Sequence, residues 1–327
     1  MYSVRPSRRS VLVAGFAAVA LGAGGWALRS ADSGPGRGAE GFTAGTAPEE
    51  TDPILFVDPS TVSEQEGSQA LADALLAQPA FEGVAGHLGG AFDGSGPVDI
   101  AALDKLLVVG SGVVDGSAAV VWADWSPDRL ASLLGENGRP ENGTYAGQRT
   151  YETDKSSAAV LGDGIFALGT PRVVRSIVDV WHGDAKPISR DVLEPFERTH
   201  RNAPVRFATT GLAFKTASAD SRTQAYETVT NTSVSITAGD DNTTVTVSYE
   251  VGSTDADDPL AAALRRDLGL SDVATAVEPA LPRGVRGDLA VRVDTETIVT
   301  VEYRARDDSV RAQIENVLET LGSATAG

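Results

Sequence analysis

The chain of 327 residues has no cysteine, one methionine and four lysines, at positions 105, 155, 186 and 215. Without cysteine there is no disulfide framework, no thiolate metal site and no lipid-modified N-terminal cysteine, so the fold must rest on its apolar core. Histidine is scarce too. His87, His182 and His200 are the three in the chain, and none pairs with another at metal-ligand spacing. They are expected in structural or surface roles. His182 falls at the end of a predicted helix, where a cation suits the dipole. No G-x-S-x-G, H-E-x-x-H or S-x-x-K pattern occurs, so the familiar nucleophile and zinc motifs are missing. The glycine-rich run Gly110-Ser111-Gly112-Val113-Val114-Asp115-Gly116 lacks the lysine and hydroxyl of a phosphate loop and joins two predicted strands; it reads as a hairpin loop. No catalytic, cofactor-binding or metal-binding residue is assigned, and no cofactor is expected.

Acid is abundant. The chain carries 45 acidic against 27 basic residues, a formal net charge of −18. Such a surface repels nucleic acid and anionic headgroups, which excludes the first as a partner. An acid excess with so few lysines looks like adaptation to molar salt, where the Debye length falls to about 3 Å at 1 M. That reading also covers the acidic runs Asp240-Asp241-Asn242 and Asp255-Ala256-Asp257-Asp258. Neither has the spacing and distal glutamate of a calcium loop.

The N-terminus carries the most specific signal. Ser7-Arg8-Arg9-Ser10 precedes an apolar run from Val11 to Leu28, and no acid occurs before Asp32. Paired arginines ahead of an apolar core form a twin-arginine export address, with Arg8 and Arg9 as its signal. The run of 18 residues lies near the lower limit of about 17–20 for a spanning helix. Trp26-Ala27-Leu28-Arg29-Ser30-Ala31 offers no clean cleavage site. The expected arrangement is a single N-terminal anchor in the cell membrane with an extracytoplasmic C-terminal domain; the alternative is secretion after cleavage. Three N-x-S/T sequons, at Asn142, Asn231 and Asn242, are candidate N-glycosylation sites if exposed outside the cell.

The expected division is 1–29 signal and anchor, 30–52 flexible polar linker, 53–201 first lobe and 202–327 second lobe. The linker is Gly-, Ser-, Pro-, Thr- and Glu-rich with almost nothing apolar. Beyond it, strand–strand–helix units recur. Strands are expected at 54–57, 106–109, 118–123, 158–161, 165–168, 234–237, 245–251, 289–293 and 299–303. Gly162-Asp163-Gly164 marks a hairpin turn. Ser126-Pro127, Thr170-Pro171 and Asp258-Pro259 each place a cap residue before a proline at a helix start. Trp122 and Trp125 read as core. Tyr145 and Tyr151 bracket Gly147-Gln148-Arg149 in an expected strand. The expected fold class is α+β: antiparallel sheets with helices on one face, built from repeated strand–strand–helix units, as two similar lobes or one continuous sheet.

The twin-arginine head, the polar tether, Tyr145-Ala-Gly-Gln-Arg-Thr-Tyr151 and Ala159-Val-Leu-Gly-Asp-Gly-Ile-Phe-Ala-Leu-Gly-Thr-Pro171 together resemble uncharacterised twin-arginine-exported, membrane-anchored surface proteins of halophilic archaea. The resemblance covers most of the chain. It implies location and fold class and brings no catalytic residues. The expected function is non-enzymatic binding or scaffolding in the cell envelope, with an envelope protein as partner. The alternatives are a secreted hydrolase with a carboxylate active site and a solute-binding receptor.

Overall fold

The computed structural model describes residues 43–59, 62, 103–111, 116–129, 141–211, 228–238, 243–252, 259–262, 289–295 and 297–305. The export segment, His87, the acidic runs at 240–242 and 255–258, and Asn242 lie outside these residues.

Among the described residues twelve strands form one antiparallel sheet. In chain order they are β1 (Thr51–Val57), β2 (Leu103–Ser111), β3 (Ser117–Ala123), β4 (Glu141–Tyr145), β5 (Gln148–Glu152), β6 (Ser157–Gly162), β7 (Ile165–Gly169), β8 (Val205–Thr210), β9 (Val229–Ala238), β10 (Thr243–Val251), β11 (Leu289–Thr295) and β12 (Ile298–Ala305). Their order across the sheet is β11–β12–β10–β9–β8–β1–β2–β3–β7–β6–β5–β4. Two helices follow β7: α1 (Pro171–His182) and α2 (Arg190–Arg198).

The α+β expectation is corrected here. Strand makes up 54% and helix 23% of the described residues, in a single sheet, so the described part is mainly β. Both described helices lie over the middle of one face, α1 against β3, β6 and β7, α2 against β1, β8 and β9. The sequence halves 53–201 and 202–327 contribute strands to the same sheet, joined where β1 pairs with β8. The periodicity that suggested layers came from strands buried on both faces. β1, β3 and β7 are almost continuously buried, and such runs do not reveal the layer covering them.

What repeats is a five-stranded sheet unit. Read outward from the β1–β8 pair, β1-β2-β3-β7-β6 matches β8-β9-β10-β12-β11. Two register slips fall at matching places. One separates Lys105 from Leu103 opposite Trp122 and Ala123, and its counterpart separates Asn231 from Val229 opposite Glu250 and Val251. The other separates Val160 from Gly162, and its counterpart separates Val293 from Thr295. A bulge re-aims a strand locally, and two coinciding bulges mark the halves as copies of one unit. Among the described residues the β4–β5 hairpin has no counterpart in the second copy.

One part of the core lies between the sheet and its helices, while Val108, Phe166, Leu168, Val234 and Val301 are buried on the opposite face. Ile54, Phe56, Leu107, Val109 and Val120 share a sheet face and pack with Val174, Ile177 and Trp181 of α1 and Val192 and Phe196 of α2. Burying each large side chain contributes about 1.5–3 kcal/mol. Chain 43–50 joins this core: Ala44 and Ala47 are buried, and Ile188 N–H donates to the Ala47 carbonyl at 2.6 Å. The folded part thus begins before the linker boundary at residue 52, because small alanines, invisible as an apolar run, fit beneath the helices.

Local chemistry sets the helix ends. Pro171 occupies the first turn of α1, where its missing N–H loses nothing. The Thr170 hydroxyl does not cap the helix as expected; it accepts instead from the Ser117 N–H at 3.3 Å. At the other end Gly183 adopts φ 82°. Gly183 N–H and Asp184 N–H then reach the Val180 and Asp179 carbonyls at 3.0 and 2.8 Å, the two bonds of a Schellman motif.

Candidate functional site

Two polar clusters stand out on the helix-bearing face. The first lies where the β4–β5 hairpin curls over α1. The turn is Ala146-Gly147, at φ 46° and 82°, a pair of left-handed residues as a two-residue hairpin requires. The segment expected as one strand around Gly147 is therefore two strands. Tyr145 Oη donates to Asp179 Oδ2 at 3.2 Å. The Arg175 guanidinium sits 5.6 Å from the Tyr145 ring centre and donates to Glu152 at 2.8 and 2.9 Å. Gln148 and His182 meet at 3.2 Å. The hydrogen bond to Asp179, then burial, raises the Tyr145 phenol above its ordinary value. A general acid or base works best near the operating pH, and this phenol moves the other way. The cluster fastens the hairpin to the helix.

The second cluster is a polar shelf on β9, β10, β12 and β11. Side chains alternate along β10: Val245, Val247, Tyr249 and Val251 are buried on one face, while Thr244, Thr246, Ser248 and Glu250 are half-exposed on the other. Register extends that polar face sideways. Thr246 and Ser248 stand beside Ser235 and Ser233 of β9 and beside Glu302 and Thr300 of β12. Arg292 of β11 stands opposite Thr300. Helix α2 forms one wall, its N-terminus set by the Ser189 hydroxyl accepting from Asp191 N–H at 3.2 Å.

Arginines bracket the shelf. Arg198 of α2 reaches Glu250 at 2.5 Å, and Asn231 Nδ2 donates to the same carboxylate at 3.1 Å. Asn231 Oδ1 is buried without a partner. At the other end Glu302 pairs with Arg292 and, at 3.7 Å, with Arg304. Ser248 and Thr300 share a hydroxyl hydrogen bond of 3.2 Å. Beneath α2, Arg206 is buried. It donates to the Thr199 hydroxyl and, at 2.8 Å, to the Phe196 carbonyl, and lies 4.2 Å from the Phe196 ring centre. Burial lowers its guanidinium to about 10, against the nearby Glu197, which raises it.

Of the sequons, Asn142 sits on edge strand β4 and Asn231 on interior strand β9, where the nitrogen that would carry a glycan is bonded to Glu250. Trp122 packs against the core, and Trp125 stacks on Phe166 at 6.0 Å. Of the histidines, His182 joins the first cluster and His200 is exposed, while His87 lies outside the described residues. No group of three metal-ligating side chains occurs among the described residues, and no described helix is long and apolar enough to cross a membrane. The shelf was missed from sequence. Its signal was the even spacing of Ser233 and Ser235, of Thr244, Thr246 and Ser248, and of Thr300 and Glu302, which needs strand registers to become one surface.

These features define a class: an open, mainly-β sheet protein with helices on one face and no assembled catalytic constellation among its described residues. No family model and no curated protein matches the chain. Among solved structures, crystal form III of TP0453 is similar, with a TM-score of 0.50 at 8% identity over 84% of this chain and 98% of that one. Crystal form I of TP0453 gives 0.48 at 9% identity over 84% and 96%. At such identities the likeness concerns the fold alone.

Proposed function

We propose that this chain is exported by the twin-arginine route, stays anchored in the cell membrane by its N-terminal apolar run, and binds a component of the cell envelope without transforming it. The observation that carries the reading is the paired Arg8-Arg9 ahead of an 18-residue apolar run and a polar tether. Non-enzymatic binding is supported by the state of the shelf carboxylates. Glu250 is held by Arg198, and Glu302 by Arg292 and Arg304. Both carboxylates are thus engaged by arginine partners rather than standing together as a paired acid and base.

Fractionation tests the proposal. Replacing Arg8 and Arg9 together with lysine should leave the protein in the cytoplasm, while the parent chain sediments with membranes, its C-terminal domain open to added protease. Export of the lysine variant at the parental level would refute the route. Parent protein recovered from the medium would refute the anchor.

A further inference from the structure

The chain enters its fold at one defined place. Ala44 and Ala47 are buried in the same core as α1 and α2. Ile188 N–H donates to the Ala47 carbonyl at 2.6 Å, and Glu49 N–H donates to the Lys186 carbonyl at 3.1 Å. Pro48 forms a β-bridge with Pro187. Residues 43–49 are thus fastened to the α1–α2 connection, on the helix-bearing face. Fourteen residues separate Leu28, the end of the apolar run, from Thr43. Whatever their conformation, they span at most about 50 Å. A folded body of about 280 residues has a radius of gyration of about 19 Å, hence a diameter of about 50 Å. With the α1–α2 connection turned away from the bilayer, the tether would have to run the whole depth of the domain fully extended. Turned toward the bilayer, it reaches with length to spare.

The same face departs from the rest of the chain in charge. Residues 171–202 hold six basic and five acidic residues, with His182 and His200 besides. Elsewhere beyond residue 29 there are 17 basic and 40 acidic residues. Arg172 and Arg201 are exposed, and among the described residues no carboxylate pairs with either. The Lys186 and Arg190 side chains are 79% and 88% exposed, in surface pairs that exchange readily for another anion. We propose that the α1–α2 face is the membrane-facing side of the domain, where Arg172, Lys186, Arg190 and Arg201 bind anionic phospholipid headgroups of the bilayer that holds the anchor. The inference rests on the anchored-export reading and adds to it an orientation and a second membrane contact. A guanidinium matches phosphate bidentately, and basic side chains near an anionic surface are drawn to it. The acidic remainder is repelled by that surface, which turns the domain helix face down. Molar salt does not abolish the contact. At 1 M the Debye length is about 3 Å, so repulsion from the distant acids is screened, while a guanidinium bonded to phosphate lies within that length. A protein partner fits less well. Protein interfaces are enriched in aromatic residues, and the two in this stretch, Trp181 and Phe196, are buried in the core.

The absence of cysteine makes the test direct, because one introduced thiol labels one site. The full chain is reconstituted through its N-terminal run into vesicles of phosphatidylcholine alone, and into vesicles that also carry phosphatidylglycerol. Both contain a trace of lipid with a nitroxide on its headgroup. A fluorophore on Ala185→Cys, in the exposed α1–α2 connection, should be quenched at least about twofold more on the anionic vesicles. A fluorophore on Asp294→Cys, on the edge strand β11, should respond little to composition. In the Ala185→Cys chain, Arg172→Gln/Lys186→Gln/Arg190→Gln/Arg201→Gln should return quenching to the level on neutral vesicles. Arg129→Gln/Arg149→Gln/Lys155→Gln/Arg304→Gln changes net charge equally at exposed positions elsewhere and should leave quenching as in the parent. The proposal is overturned if the Ala185 label reads the same on both vesicles, if the first variant is quenched like the parent, or if the second loses as much as the first. A photo-crosslinker on the same thiol in native membranes should capture lipid; capture of a protein and no lipid would also overturn it. Flotation reads the anchor separately. A chain that floats with both vesicles and shows no effect of composition keeps the anchor and loses the docking face, whereas one that floats with neither loses both.

Discussion

Tyr249 and Arg206 are two ionisable groups taken out of water on neighbouring stretches of the sheet, and burial moves them in opposite senses. The Tyr249 phenol is raised well above its ordinary value by desolvation alone, and the Arg206 cation is lowered to about 10. In the unfolded chain a tyrosine ionises near pH 10, while the folded phenol stays neutral to higher pH. Its contribution is therefore fully present below pH 10 and is lost above it, at about 1.4 kcal/mol per pH unit. Arg206 acts the other way: its folded value lies below its unfolded one, so stability rises with pH between the two. Comparing Tyr249→Phe with the parent isolates the tyrosine. Urea unfolding at pH 8, 10 and 11 should show the parent losing stability relative to the variant only above pH 10; parallel curves would mean that the phenol is solvated. Gly169 makes a steric point at the same scale. It sits at φ +148°, and a Cβ there would meet the Ser117 carbonyl oxygen at 2.4 Å, so the β3–β7 pairing depends on a residue without a side chain.

Among the elements, the β4–β5 hairpin is the least favoured by its own sequence. Ala146 holds a positive φ of 46°, which a non-glycine residue other than Asn or Asp adopts at a cost of about 1 kcal/mol. Ala146→Asn creates the preferred Asn-Gly pair for this turn. It should stabilise the chain by about 0.5–1 kcal/mol, seen as a rise in the urea midpoint at unchanged slope; a fall would show that the alanine makes an undescribed contact. The same residue explains why the hairpin was illegible: Ala-Gly is a weak turn signal, and few apolar residues flank it. Gly162-Asp163-Gly164 signals its turn strongly, and β6 and β7 fall close to their expected limits. β10 was equally plain because its alternation is complete from Thr243 to Val251. β8 and α2 were missed for specific reasons. Arg206 interrupts the apolar reading of Val205-Arg206-Phe207-Ala208, and Pro195 lies inside α2, where proline usually breaks a helix.

On the scale of the whole molecule, sequence pattern reported neighbours in the chain and was silent about neighbours in space. Alternation located strands, but no local pattern said that β1 pairs with β8 or that two units fuse into twelve strands, and the shelf appears only once β9, β10 and β12 are aligned. Net charge, by contrast, is a property of the whole that composition does report. Outside residues 1–29 there are 23 basic and 45 acidic residues, and like charges at that density oppose the compact state. The exposed ion pairs Arg175–Glu152 and Lys186–Glu49 do little to offset this, since such pairs contribute about 0–1 kcal/mol and weaken with salt. Repulsion spread over the surface and attraction confined to a few pairs are screened together, so the larger sum decides the sign. The melting temperature should therefore rise steeply between 0.1 and 1 M sodium chloride, as the Debye length falls from about 10 to about 3 Å, and then flatten. Exclusion of salt from apolar surface has a different signature, because it continues to stabilise beyond 1 M. A melting temperature independent of salt, or one that begins to climb only above 1 M, would show that the acid excess is not what salt relieves.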